Sequence, residues 1–350
     1  MLINTKFYNP ACRFLSGLFL LKTKSSFTIT DKIFAHLEAW RLYTVIWCGL
    51  VSLAGSCIAF GYFPPLEIAI FVFIIPILGW TAGLYLTDYL DRELDSIQKP
   101  HRPIPSGRIK PKEALAVGGI FALTGFLLSF LLGINNILLA FVVASLVLTY
   151  AKFSKSRGAM GNLNRGFLTL ATYFFGVFSA GQQLQSMPMY IWLLSLVFMI
   201  HDTNSNLVGA IRDLEGDKQG GYNTIPVKYG VKKSIYISLA LTFIWLPLAI
   251  FLPYRFNFLK NEFYLVMIID LLILLILYVY LFRSITNYSR EKALIFHEFF
   301  VIERVVLASA FIFGIVNPTI AFIILLVSLI VTSISQYKLR RRYEFKENTL

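Results

Sequence analysis

Of 350 residues, 57% are hydrophobic and only 15% are charged, and a mean hydropathy of +0.68 excludes a soluble globular domain of this size. The chain reads as a multipass membrane protein. Its net charge of +13 is carried largely by one set of loops, so it reports topology, and no nucleic-acid partner is implied.

The first thirty residues contain no acid and one short apolar run, Phe14 to Leu21, too brief to span a bilayer. Residues 1–38 are expected to form a cytoplasmic amphipathic lead-in, with a targeting leader as the alternative. Residues 39–336 form the transmembrane domain and 337–350 a basic cytoplasmic tail. Apolar runs recur at 40–60, 66–86, 114–133, 137–151, 167–180, 189–208, 235–252, 263–282, 305–316 and 320–334. Most approach the length needed to cross hydrocarbon, which predicts an all-α polytopic bundle of about nine or ten spans.

Lys and Arg concentrate in the connections after the even-numbered runs and in the tail, whereas the opposite connections hold only Arg255 and Lys260. By the positive-inside rule both termini and the acidic clusters at 88–95 and 213–217 face the cytoplasm. The expected location is the plasma membrane of a bacterium or archaeon, with the lipid bilayer as a partner. Cys12, Cys48 and Cys57 show no ligand spacing and predict no disulfide.

In chain order, Arg41 opens the first run and reads as an interfacial anchor, with an acceptor carboxylate as its functional alternative. The second run ends in TDYLDRELD, placing Asp88, Asp91 and Asp95 at i, i+3 and i+7 on one helical face. The loop that follows, SIQKPHRPIPSGRIKPKEA, is broken by prolines and supplies Lys99, Arg102 and Arg108 beside that face. The sixth run ends in RDLEGD, with Asp213 and Asp217 four apart. Solvated caps would explain one acidic cluster. Two such clusters in a basic, apolar chain point to a divalent cation and a phosphate, because Mg2+ takes oxygen ligands from one or two carboxylates plus substrate phosphates.

Asp202, Asn206, Gly209, Asp213 and Asp217 recur at intervals of four, three, four and four, a polar stripe descending from the second cluster into the membrane. Asp202 and Asn206 are therefore candidates to touch an acceptor or help deprotonate it, against a helix-packing pair of equal weight. His201 is expected to be a packing histidine, and Glu303 with Arg304 an ion pair at a span start.

The order of these motifs resembles the UbiA superfamily of intramembrane prenyltransferases. The first acidic motif, the continuation from Lys99 to Gly107, Tyr150 with Lys155, Gly161 and Asn162, the Asp213 to Asp217 motif and GGYNTIPVKYG at 220–230 carry the likeness. Three features depart from the family pattern. Thr87 stands where an Asn usually opens the first motif, the Tyr150 to Lys155 spacing is one residue longer, and ten runs stand against a usual nine spans.

The resemblance implies a central cavity in which Mg2+ bridges the aspartates to the diphosphate of a prenyl donor, and the allylic cation is captured by an acceptor. It implies metal ligation by Asp88, Asp91, Asp95, Asp213 and Asp217, and substrate contacts from Thr87, Tyr150, Lys155 and Asn162. Lys99, Arg102, Lys155 and Arg212 are placed to add cationic contacts to the leaving diphosphate. The expected enzyme transfers a prenyl group, an alkyl group other than methyl, to an aromatic or other lipophilic acceptor. A terpene cyclase of the same fold is the alternative, and a transporter the non-enzymatic one. Acceptor identity and prenyl length are not encoded in any short motif.

Overall fold

The computed structural model describes residues 27–344, and among them every regular element is helical. A short helix, α1 (Ile29–Trp40), begins at a Thr28/Asp31 capping box and ends at Arg41, whose φ of 48° turns the chain into α2 (Leu42–Phe60). There follow α3 (Leu66–Gln98), α4 (Pro111–Ser129), α5 (Ile134–Thr149), α6 (Ala159–Phe178), α7 (Met189–Arg212) and the single-turn α8 (Leu214–Gln219). The chain continues through α9 (Ile225–Phe256), α10 (Asn261–Ser284), α11 (Arg290–Phe313), α12 (Pro318–Ser335) and a last turn, α13 (Arg341–Glu344).

Each of the ten predicted apolar runs lies mostly in a helix of its own between α2 and α12, and those at 40–60, 114–133, 137–151, 167–180 and 305–316 overrun its ends. Among the described residues seven segments, those of α2, α3, α4, α5, α9, α10 and α12, are long and apolar enough to cross a membrane. The run at 305–316 lies mostly in α11, which starts fifteen residues earlier at Arg290.

The core centres on α2, which packs against α3, α6, α11 and α12. It is buried nearly all round, with Trp47, Leu50, Val51 and Ala54 fully enclosed. Gly55 and Gly176 let α2 and α6 approach until backbone meets backbone: a Cβ on Gly176 would meet the carbonyl of Ser52. The outward faces of α4, α5 and α10 expose Leu127, Phe141, Leu265 and Ile276, as lipid-facing helices do.

At 33 residues, α3 is roughly 50 Å long, well beyond the hydrocarbon thickness. Its last three turns therefore project Asp88, Asp91 and Asp95 past the apolar stretch. The Pro-rich loop after it closes back on the bundle through Arg108, which pairs with the fully buried Glu38 of α1 at 2.7 Å. Residues 337–344, which composition alone assigns to a tail, instead continue α12 through a π-helical turn at Gln336–Arg340. They dock on the same face, burying Tyr343 and Glu344.

Candidate active site

The helices enclose a cavity of about 900 Å3 that opens where α3, the α7–α8 junction and the loop after α3 converge. Its inner wall is apolar, with Ile75 and Leu84 of α3, Leu115 and Phe126 of α4, Val143 and Val147 of α5, and Ala171 and Phe175 of α6. Its mouth is charged. Asp88, Asp91 and Asp95 line it from α3, and Asp213 and Asp217 line it from the end of α7 and from α8. The predicted helical faces thus bring both acidic clusters to one cavity. Gln98 locks the two walls together by donating to the carbonyl of Gly216 at 2.8 Å.

Four of the five carboxylates have cationic partners. Asp88 pairs with Arg41 and Asp91 with Lys155. One nitrogen of Arg102 donates to both oxygens of Asp95, at 2.8 and 3.0 Å, and Asp213 accepts from Arg212 at 2.5 Å and from Lys99 at 3.4 Å. Burial acts to raise the Asp213 carboxyl, but Arg212 and Lys99 outweigh it and hold the group well below the usual range. Asp217 behaves oppositely: burial, then the neighbouring Asp213 charge, push it up to about 6. Burial, aided by Arg102, lowers the Lys99 ammonium below its usual value.

The donor set fits Mg2+. Among the described residues no three His, Cys, Asp or Glu side chains converge on one point, but an oxygen-only mouth shared with a phosphate needs no such cage. Lys155 reaches Asp91 because the chain leaves α5 through a π-helical turn at Tyr150–Ser154, a local distortion that often marks function. Tyr222 donates to Asp91 at 3.4 Å.

Deeper in the cavity, Asn162 and Asn206 are hydrogen-bonded to each other at 3.2 Å, and Asn206 donates a long 3.5 Å bond to Tyr150. Thr87 lines the cavity, but its hydroxyl is spent on the carbonyls of Gly83 and Leu84. Asp202 is fully buried and lies behind the wall, 3.7 Å from the cavity-lining Arg165.

Two expectations from the sequence are corrected. Arg41 is no interfacial anchor but is paired with Asp88 and Tyr343 inside the cavity. Glu303 and Arg304 are not a pair: Glu303 meets His201 at 2.9 Å, boxed in by Trp47, Trp245 and Phe300, while Arg304 faces the cavity. Adjacent residues on a helix point about 100° apart, which separates them. Tyr343 and Glu344 belong to the site although no motif marks them. The Tyr343 ring lies between the guanidinium groups of Arg41 and Arg102, at 4.3 and 4.2 Å, and Glu344 sits among Lys99, Arg212 and Arg290.

A sequence model of the UbiA prenyltransferase family matches residues 46–302. A digeranylgeranylglyceryl phosphate synthase from Pyrococcus horikoshii is 32% identical over 221 residues, covering 63% of this chain and 78% of the relative. A solved structure of a digeranylgeranylglyceryl phosphate synthase is 28% identical, with a TM-score of 0.60, covering 81% of this chain and 98% of that one. A UbiA homologue from Archaeoglobus fulgidus, bound to DMAPP and Mg2+, shares the fold at 15% identity and a TM-score of 0.55, over 78% of this chain and 99% of the other.

Proposed function

The chain belongs to the UbiA prenyltransferase family, and from that premise we propose that this integral membrane prenyltransferase uses Mg2+ to ionise a prenyl diphosphate and transfers the isoprenoid to a hydroxyl of a glycerophosphate-type lipid. The single observation that carries the reading is the union of two acidic motifs and four cations, Lys99, Arg102, Lys155 and Arg212, at the mouth of one deep apolar cavity. A diphosphate fits a mouth of oxygen donors and guanidinium groups, and an isoprenoid fits the apolar wall behind it. The named relatives turn the acceptor away from a specifically aromatic compound. A homologue of the same fold binds DMAPP with Mg2+.

In this reading Asp88, Asp91, Asp95, Asp213 and Asp217 hold the cation, which supplies neutralisation of the leaving diphosphate. Lys99, Arg102 and Arg212 orient the two phosphates, and Lys155 releases Asp91 as it turns to them. The allylic carbon–oxygen bond breaks with its electron pair leaving on the diphosphate. The acceptor oxygen then bonds to that carbon, and its proton ends on the released diphosphate. The apolar wall excludes water that would otherwise capture the cation. Asn162, Asn206 and Tyr150 stand at the level where hydroxyl and allylic carbon meet. The charged mouth faces the cytoplasm.

The test is diphosphate release by the purified protein, with prenyl diphosphates of several lengths, Mg2+ or EDTA, and with or without acceptor, against Asp91→Asn. Release that needs Mg2+, acceptor and Asp91 supports transfer. Release with a cyclised product and no acceptor would instead assign a cyclase.

A further inference from the structure

Below the diphosphate level the cavity carries a second cationic group that the proposed ionisation leaves unused. Arg304 of α11 is 2% exposed and lines the cavity. Among the described residues no carboxylate stands within ion-pairing distance of it. Its hydrogen bonds are long ones to the carbonyls of Tyr43 and Thr44, at 3.4 and 3.5 Å, and its Nε has no partner. Arg165 of α6 joins it in the lining, stacked 3.8 Å from Trp80, and its buried Nε also lacks a hydrogen bond.

The two guanidinium groups lie close enough to repel each other, and Asp202 is near both. Glu303, the other carboxylate acting on Arg304, is taken up by His201 at 2.9 Å, so two cations share one carboxylate and one positive charge is left buried without a paired anion. A buried unpaired charge is costly, whereas a phosphate accepts the planar fork of arginine in a bidentate manner.

We infer that Arg304 and Arg165 form an anion subsite on the cavity wall below the mouth that takes the phosphate monoester of the acceptor lipid, apart from the diphosphate site. The inference rests on the proposed transfer to a glycerophosphate-type acceptor and names what selects it. Asp202 is a positioning residue that holds Arg165 from behind. Along α7, Asp202 and Asp213 are eleven residues apart, roughly 16 Å of helix, so the two anions do not compete for the same cations. Asn206 lies between the two levels. An acceptor anchored by its phosphate below would present its hydroxyl there, opposite the allylic carbon held from above.

The experiment compares three acceptors in detergent with a fixed prenyl diphosphate and Mg2+: an isoprenoid glycerol ether phosphate, the same lipid without phosphate, and a hydroxybenzoate. Arg165→Gln is expected to raise the KM for the phosphorylated lipid by about tenfold or more, the scale of one charged hydrogen-bonded contact. The preference over the dephosphorylated lipid should fall towards unity while the donor KM stays unchanged. Arg304→Lys, which keeps the charge but loses the fork, should shift the same ratio in the same direction, with thermal unfolding in detergent reporting that each variant is folded.

A wild-type enzyme that uses both lipids equally, or variants that lower both equally, would overturn the subsite and leave the prenyltransferase reading standing. A marked preference for the hydroxybenzoate would likewise assign the arginine pair to a carboxylate and overturn the phosphate. Absence of any Mg2+-dependent transfer or diphosphate release would remove the proposed function, and the subsite with it.

Discussion

Tyr343 donates a hydrogen bond to Asp88 at 3.0 Å across 255 residues of chain. The next residue, Glu344, sets its carboxylate 3.7 Å from Lys99 and 3.6 Å from Arg212. The last described turn thus holds an anion on two of the cations assigned to the diphosphate. An incoming diphosphate must share them with Glu344 or displace it. Glu344→Gln is expected to tighten binding of inorganic diphosphate by roughly fivefold at low salt, with the gain shrinking as salt rises. Isothermal titration at two ionic strengths reads both effects, and an unchanged affinity would show that the carboxylate never competes.

The Asp91–Lys155 pair makes a separable prediction. Burial acts to lower the Lys155 ammonium, but Asp91 overrides it and raises the group above its ordinary value, so the lysine is a cation already standing where the metal is proposed. Lys155→Met should therefore tighten Mg2+ binding without diphosphate and raise the KM for the prenyl donor. Asp91→Asn should lower kcat by about 10²-fold or more, the scale of removing one electrostatic stabiliser. The double variant should lose less than the sum of the two, because each single change strands the other charge.

Helical spacing makes much of this site legible in the sequence. Asp88, Asp91 and Asp95 need only a helix to share a face, and Asp213 and Asp217 need only one more turn. Spacing names a face but not what covers it. Asp202 lies on the correct stripe of α7, yet it is its neighbour Arg165 of α6 that lines the cavity. Adjacency in sequence pairs Arg304 with Glu303, whereas the partner of Glu303 is His201, 102 residues away. Tyr343 and Glu344 sit in a basic segment whose composition suggests solvation, and their contacts with Asp88 and Lys99 leave no local signal.

The metal-free site should respond to pH through Asp217. Its carboxyl is pushed up to about 6, first by burial and then by Asp213. Above that pH the group is ionised and Mg2+ binds without displacing a proton from it. Below that pH a proton must leave as the metal arrives, so apparent affinity falls by up to about tenfold per pH unit. Mg2+ titrations between pH 5 and 8 should show this bend near pH 6 in the wild type and lose it in Asp217→Asn. A bend that persists in the variant would assign the proton to another group.

The close approach of α2 and α6 connects packing to chemistry. Gly176 faces the carbonyl of Ser52, so a methyl group there meets the backbone of Ser52 and Ser56, with no flexible side chain to yield. Gly176→Ala is expected to cost about 1–3 kcal/mol, as overpacking does. Gly119→Ala, at a helical position with nothing within 4 Å of the new Cβ, should be neutral or stabilising, because alanine is the better helix former by roughly 1 kcal/mol. Thermal unfolding of the two variants in one detergent makes the comparison. Forcing α6 away from α2 also shifts Asn162 and Arg165, which α6 carries into the cavity, while the carboxylates on α3 and α8 stay put. Gly176→Ala should therefore impair acceptor KM more than donor KM even where the protein remains folded, and equal effects on both would mean that the helix moves without carrying the acceptor wall.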